Sequence, residues 1–139
     1  MAVTGGCLCG AVRYTIAADA PLGARLCWCR VCQYVGAGTG TANTVFLTKD
    51  FSVSGPLTDY VRKADSGATM HRRFCSQCGT PMFSEAEERP QHIVVRAGTL
   101  DDPELAKPSA ILWAPEAPSW ACFDPALPTH AGQAPPPKG

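Results

Sequence analysis

Apolar and polar residues alternate along this chain in short runs, and no long stretch repeats them at helical spacing. Ala11-Val12-Arg13-Tyr14-Thr15-Ile16 alternates as a half-buried strand does. Thr44-Val45-Phe46-Leu47, Phe51-Ser52-Val53 and His92-Ile93-Val94-Val95-Arg96 carry the same signature of β-branched and aromatic residues. Turns are predicted at Ser54-Gly55-Pro56 and Asp65-Ser66-Gly67. A helical turn is expected only after Cys29. The pattern therefore predicts a mainly β protein of antiparallel sheets.

A length of 139 residues with 45% hydrophobic and 17% charged content fits one globular domain. Its expected extent is residues 1–130. Residues 131–139, with the run Pro135-Pro136-Pro137, are expected to form a disordered tail. No basic segment followed by an apolar stretch opens the sequence, and no apolar run suggests a membrane span. The expected setting is the cytoplasm.

Cysteine spacing changes the picture. Of eight cysteines, seven fall into Cys7-Leu8-Cys9, Cys27-Trp28-Cys29-Arg30-Val31-Cys32 and Cys75-Ser76-Gln77-Cys78. An even cysteine count raises the alternative of disulfides, but a cytosolic chain rarely keeps them, and C-x-C or C-x-x-C neighbours converge more readily on one thiophilic ion. Zinc is the expected metal. Four thiolates close a tetrahedral site and three leave a position open, so two pairs and a triplet predict one structural and one reactive ion. An ion shared by the pairs would staple the first strand to a late hairpin. Gly79 after Cys78, and Gly10 after Cys9, suit tight turns whose backbone N–H groups point at the thiolates.

Charge excludes a generic nucleic-acid binder. The formal net charge is zero with neutral cysteines, and seven thiolates around two zinc ions would bring it to about −3. There is no Lys/Arg-rich run and no aromatic platform motif.

Gly5-Gly6-Cys7-Leu8-Cys9-Gly10-Ala11-Val12, Cys27-Trp28-Cys29-Arg30-Val31-Cys32-Gln33 and Phe74-Cys75-Ser76-Gln77-Cys78-Gly79-Thr80-Pro81 together resemble the glutathione-dependent formaldehyde-activating enzyme (GFA) and centromere protein V family. So do Gly98-Thr99-Leu100-Asp101-Asp102-Pro103 and Pro118-Ser119-Trp120. The resemblance spans nearly the whole chain, in order, and departs at Trp28, where the family often has His. It implies a β-tent of antiparallel sheets, with a structural zinc on Cys7, Cys9, Cys75 and Cys78 and a second zinc on Cys27, Cys29 and Cys32. It also implies a carbon–sulfur lyase that handles S-hydroxymethylglutathione, the adduct of glutathione and formaldehyde.

The residues allow that chemistry. A zinc on Cys27, Cys29 and Cys32 has a fourth position where a substrate thiol can ionise and meet a carbonyl carbon. Three thiolates already overneutralise the dication, so thiol transfer suits the centre better than water activation. Arg30, His71 and Arg72 are the candidate contacts to an anionic co-substrate such as glutathione, each weighed against a solvated surface role. His71 is also a candidate proton shuttle or fourth ligand, weighed against a histidine on a polar strand surface. Cys122, outside the clusters, is expected to be a buried small hydrophobe. Trp113 and Trp120 are expected in the core or at a pocket rim, with substrate stacking as the other option.

The expected partner is a small-molecule thiol, with no membrane or nucleic acid involved and a homodimer allowed. The competing reading is a non-catalytic zinc module for protein or nucleic-acid interaction, with the triplet closed by His71 or Cys122. A thioredoxin-like redox role is weaker, because the cysteines lack the strand-to-helix context.

Overall fold

A computed structural model describes residues 2–138. The described residues form ten strands and one short helix: β1 (Val3–Gly6), β2 (Arg13–Ile16), β3 (Gly23–Cys27), α1 (Arg30–Val35), β4 (Thr41–Leu47), β5 (Phe51–Ser54), β6 (Leu57–Lys63), β7 (Thr69–Cys75), β8 (Pro81–Ala86), β9 (His92–Arg96) and β10 (Ala110–Leu112). Short 3₁₀ turns lie at 48–50, 97–99, 103–106 and 114–116. None of its helices is long and apolar enough to cross a membrane.

The mainly β expectation holds, and the strands read from alternation appear where expected, β4 starting three residues earlier. They assemble into two sheets, a small one ordered β1-β2-β5 and a large one ordered β10-β3-β4-β9-β8-β7-β6. All pairs are antiparallel except β10 with β3, so the large sheet is mixed at that edge. The parallel pair follows from the long connection between β9 and β10, which returns the chain in the direction of β3.

The two sheets share one core. Alternation in β2 buries Tyr14 and Ile16 and exposes Arg13 and Thr15. These buried residues meet Phe83, Ile93 and Val95 of the large sheet. Tyr14, Phe51 and Phe83 pack at centroid separations of 4.8–5.6 Å, two of the three pairs edge to face. Thr44, fully buried in β4, donates to the Val95 carbonyl at 2.8 Å, which removes the cost of burying its hydroxyl.

The run Gly98–Pro103 is the joint between the sheets. Thr99 Oγ1 lies 2.8 Å from Tyr14 Oη, and Asp101 accepts from Thr4 and from both terminal nitrogens of Arg13. Asp102 caps the next 3₁₀ turn through the Glu104 N–H. Past β10 the described residues form no further strand, but they run back along that edge: Ile111 and Thr129 form a parallel bridge, Trp113 Nε1 donates to Gln133 and Arg25 donates to the Pro135 carbonyl.

Candidate metal centres and the cavity beside them

All eight cysteines are free thiols, and seven of them gather into two groups. In the first, Cys7 and Cys9 follow β1, Cys75 ends β7 and Cys78 lies in the turn before β8. Cys7 Sγ is 3.5 Å from Cys9 Sγ, and Cys9 Sγ is 3.8 Å from Cys75 Sγ. Tetrahedral zinc with Zn–S bonds of about 2.3 Å sets its sulfurs about 3.8 Å apart, so the four side chains fit the ion.

The surrounding backbone is arranged for negative sulfur. The Val12 N–H donates to Cys7 Sγ, and the Gln77 and Cys78 N–H groups donate to Cys75 Sγ. Gly10 (φ +82°) and Gly79 (φ +75°) adopt the left-handed backbone that lets each loop turn this tightly. Hydrogen bonds from the Thr80 hydroxyl and backbone pull Cys78 down to about 5. Burial pushes Cys7 up, yet the Val12 N–H and the thiols of Cys9 and Cys75 outweigh it and the net shift is downward. Cys9 accepts from the Ala11 backbone but is pushed up to about 12, chiefly by the Cys7 thiol. A dication would let all four ionise.

The second group is built at a strand-to-helix junction. Cys27 ends β3, Cys29 is the N-cap of α1 and accepts from the Cys32 N–H at 3.3 Å, and Cys32 lies in the first turn. The three sulfurs lie within 4.8 Å of one another, and no histidine, aspartate, glutamate or fourth cysteine among the described residues joins them. Hydrogen bonds from the Cys27 and Cys32 thiols, with the helix N-terminal N–H groups, pull Cys29 down to about 2. The Cys29 and Cys32 thiols push Cys27 up; the Cys27 thiol lowers Cys32, but Cys29 and burial outweigh it and its net shift is upward. A dication would let all three sulfurs ionise, and three thiolates are a donor set that suits zinc.

Polar contacts hold the junction. Gln33 donates to the carbonyls of Trp28 and Glu116, Glu116 accepts from the Arg30 N–H, and Thr41 donates to the Cys32 carbonyl. Trp28 is buried and packs against Trp120 and Phe123, so the C-terminal segment covers it. Trp120 is 64% exposed, and Trp113 stands with a left-handed backbone at the end of β10. Cys122 is exposed, contrary to the buried position expected for it; the proline-flanked segment 117–128 forms no strand and lies on the surface over Trp28.

The candidate substrate contacts are spread out. Arg30 donates to Gln33 Oε1 and stacks 5.3 Å over Tyr34, beside a surface pocket. His71 joins neither thiol group. Its Nδ1 lies 2.6 Å from Asp59 and its Nε2 2.8 Å from Glu87, two carboxylates that raise its pKa and occupy both ring nitrogens. Arg72 faces a cavity of about 250 Å³ that also touches Val35 of α1, Gly79 beyond the first thiol group, and Arg96.

Arg96 is the residue that sequence reasoning missed. It ends β9 only 7% exposed, donates from one terminal nitrogen to Asn43 Oδ1 at 2.7 Å, and leaves its Nε without a partner. Burial pulls its pKa down, while the charges of Cys32, Cys27 and Cys29 push the other way, which sets its guanidinium in the field of the triplet. The available signal was an arginine closing an otherwise apolar strand.

Fold and site define a small mainly β protein with two thiol groups able to hold metal. The glutathione-dependent formaldehyde-activating enzyme family model matches residues 2–116, and the chain belongs to that family. It is 28% identical over 112 residues to a Halomonas elongata protein named "putative glutathione-dependent formaldehyde-activating enzyme", covering 78% of this chain and 71% of that one. The crystal structure of a Rhodobacter sphaeroides protein matches with a TM-score of 0.60 at 23% identity, over 76% of this chain and 96% of that chain; it supports the fold.

Proposed function

We propose that the chain is a zinc-dependent enzyme of carbon–sulfur lyase type, acting in the cytoplasm on a small thiol adduct of the S-hydroxymethylglutathione kind. Cys7, Cys9, Cys75 and Cys78 would hold a structural ion, and Cys27, Cys29 and Cys32 a reactive one. The observation that carries the reading is the triplet with no fourth protein ligand among the described residues, at the start of a helix whose Val35 lines a cavity with Arg72 and Arg96. Zinc bound there would supply a position at which a substrate thiol ionises near neutral pH.

The chain's own groups do the rest. The Cys29 cap and the Thr41 and Gln33 hydrogen bonds fix the three sulfurs before substrate arrives, so little reorganisation is left for the reaction. Burial of Cys27 and Trp28 keeps water from one side. In the forward direction the thiol sulfur bonds to the aldehyde carbon, the carbonyl π bond breaks, and the proton released by the thiol ends on the new hydroxyl. The reverse direction cleaves the same carbon–sulfur bond. Arg72 and Arg30 supply positive charge for the anionic co-substrate.

The test is exchange spectroscopy by NMR on glutathione, formaldehyde and their adduct at equilibrium. The protein is expected to speed interconversion above the spontaneous rate, and Cys29→Ser to abolish that gain. Unchanged exchange with a metal-loaded protein would favour the non-catalytic zinc module.

A further inference from the structure

Three arginines line the cavity that reaches Val35 of α1, and no acidic residue does; one of them, Arg96, feels the charge of the triplet. Arg73 is already paired with Glu85 at 2.5 Å. Arg72 makes no side-chain hydrogen bond or ion pair among the described residues, and its charge bears on Arg96 as a like charge that lowers the Arg96 pKa. Arg96 is buried with its Nε unsatisfied, and a desolvated guanidinium without a matching anion is costly.

A metal-loaded triplet offsets only part of this. Before a thiol binds, three thiolates and one zinc dication leave about one negative charge against the two positive ones of Arg72 and Arg96. Arg72 and Arg96, neither of them paired with a carboxylate among the described residues, thus line a space roomy enough for a small acid, and their planar donors suit a carboxylate. In the register of the large sheet, Arg72 stands opposite Ser84, Ser84 opposite Val94, and Arg96 two residues beyond Val94, so both arginines project from one face of the sheet into one space.

We propose that this cavity is a carboxylate subsite of the triplet, and that Arg96 with Arg72 makes the site selective for thiols whose far end carries a carboxylate. The inference rests on the reading that the triplet engages a thiol, and it adds the determinant of which thiol. Arg96 would be the specificity residue, with Asn43 holding its guanidinium from behind.

The test compares 3-mercaptopropionate with 3-mercaptopropionamide, which differ only at the far end, by calorimetric titration of the zinc-loaded protein. The wild type is expected to favour the acid by about tenfold or more, the size of one good charge-assisted contact. Arg96→Gln is expected to erase that preference while retaining its zinc and its affinity for the amide. Arg72→Gln, at a half-buried position, provides the same test should Arg96→Gln fail to fold. Equal affinity for the two thiols in the wild type, or a preference that survives the substitutions, would overturn the proposal and leave Arg96 as a counter-charge to the metal centre alone. Should neither thiol bind, succinate decides: a rise in Tm lost in Arg72→Gln keeps the subsite and discards the thiol reading, and no rise overturns the subsite.

Discussion

Cys9 Sγ lies 3.8 Å from Cys75 Sγ although the two are 66 positions apart in the chain, so one ion there would close most of the first half of the chain into a loop. Cys27, Cys29 and Cys32, by contrast, lie within six consecutive positions and close almost nothing. The two groups thus differ in what their metals contribute to the fold. Cys75→Ser is expected to destabilise the protein by more than about 3 kcal/mol, on the order of 10 °C in Tm, whereas Cys29→Ser leaves a folded protein. Circular dichroism melts of the two variants decide it, and equal collapse would refute the division of roles.

Gly5 is a second point where sequence and packing meet. A Cβ at this position would stand 2.2 Å from Tyr14 Oη and 2.3 Å from the Thr99 carbonyl oxygen, both parts of the joint between the sheets. Gly5→Ala is therefore expected to cost about 2–3 kcal/mol, since neither neighbour can retreat without breaking the Tyr14–Thr99 hydrogen bond. Urea unfolding measures this, and a loss under about 0.5 kcal/mol would show that the joint yields.

His71 predicts a pH dependence of fixed sign. Asp59 and Glu87 raise its folded pKa above the ordinary value of about 6.5. A raised folded pKa stabilises the protein fully below the unfolded value, and the contribution disappears as pH rises through the folded value. The Tm difference between wild type and His71→Gln is expected to be largest near pH 5.5 and smallest near pH 9, on the order of the pair's charge-assisted bonds. A difference that grows with pH would contradict the ion triplet.

Much of this was legible in the sequence because it is local. Alternation marked β2, β4, β5 and β9, and the cysteine spacings marked both thiol groups. β6 and β7 were harder to read: Leu57–Lys63 is almost wholly exposed, and Thr69–Cys75 carries His71, Arg72 and Arg73 in succession, so neither shows an apolar side. The parallel pairing of β10 depends on a partner more than 80 residues away, which no local pattern encodes. Arg96 looked like an ordinary strand-ending charge; only the assembled sheet puts it beside the triplet, and only packing leaves its Nε unpaired. Cys122 misled because its neighbours Trp120 and Phe123 suggested a core, whereas they form a surface cover over Trp28.

The most direct test of two centres with different roles is metal content per chain by mass spectrometry, on protein purified without added zinc, before and after incubation with glutathione. Two zinc ions per chain, one of them released or perturbed by the thiol, are the predicted result. A single tight zinc indifferent to glutathione would contradict a reactive triplet.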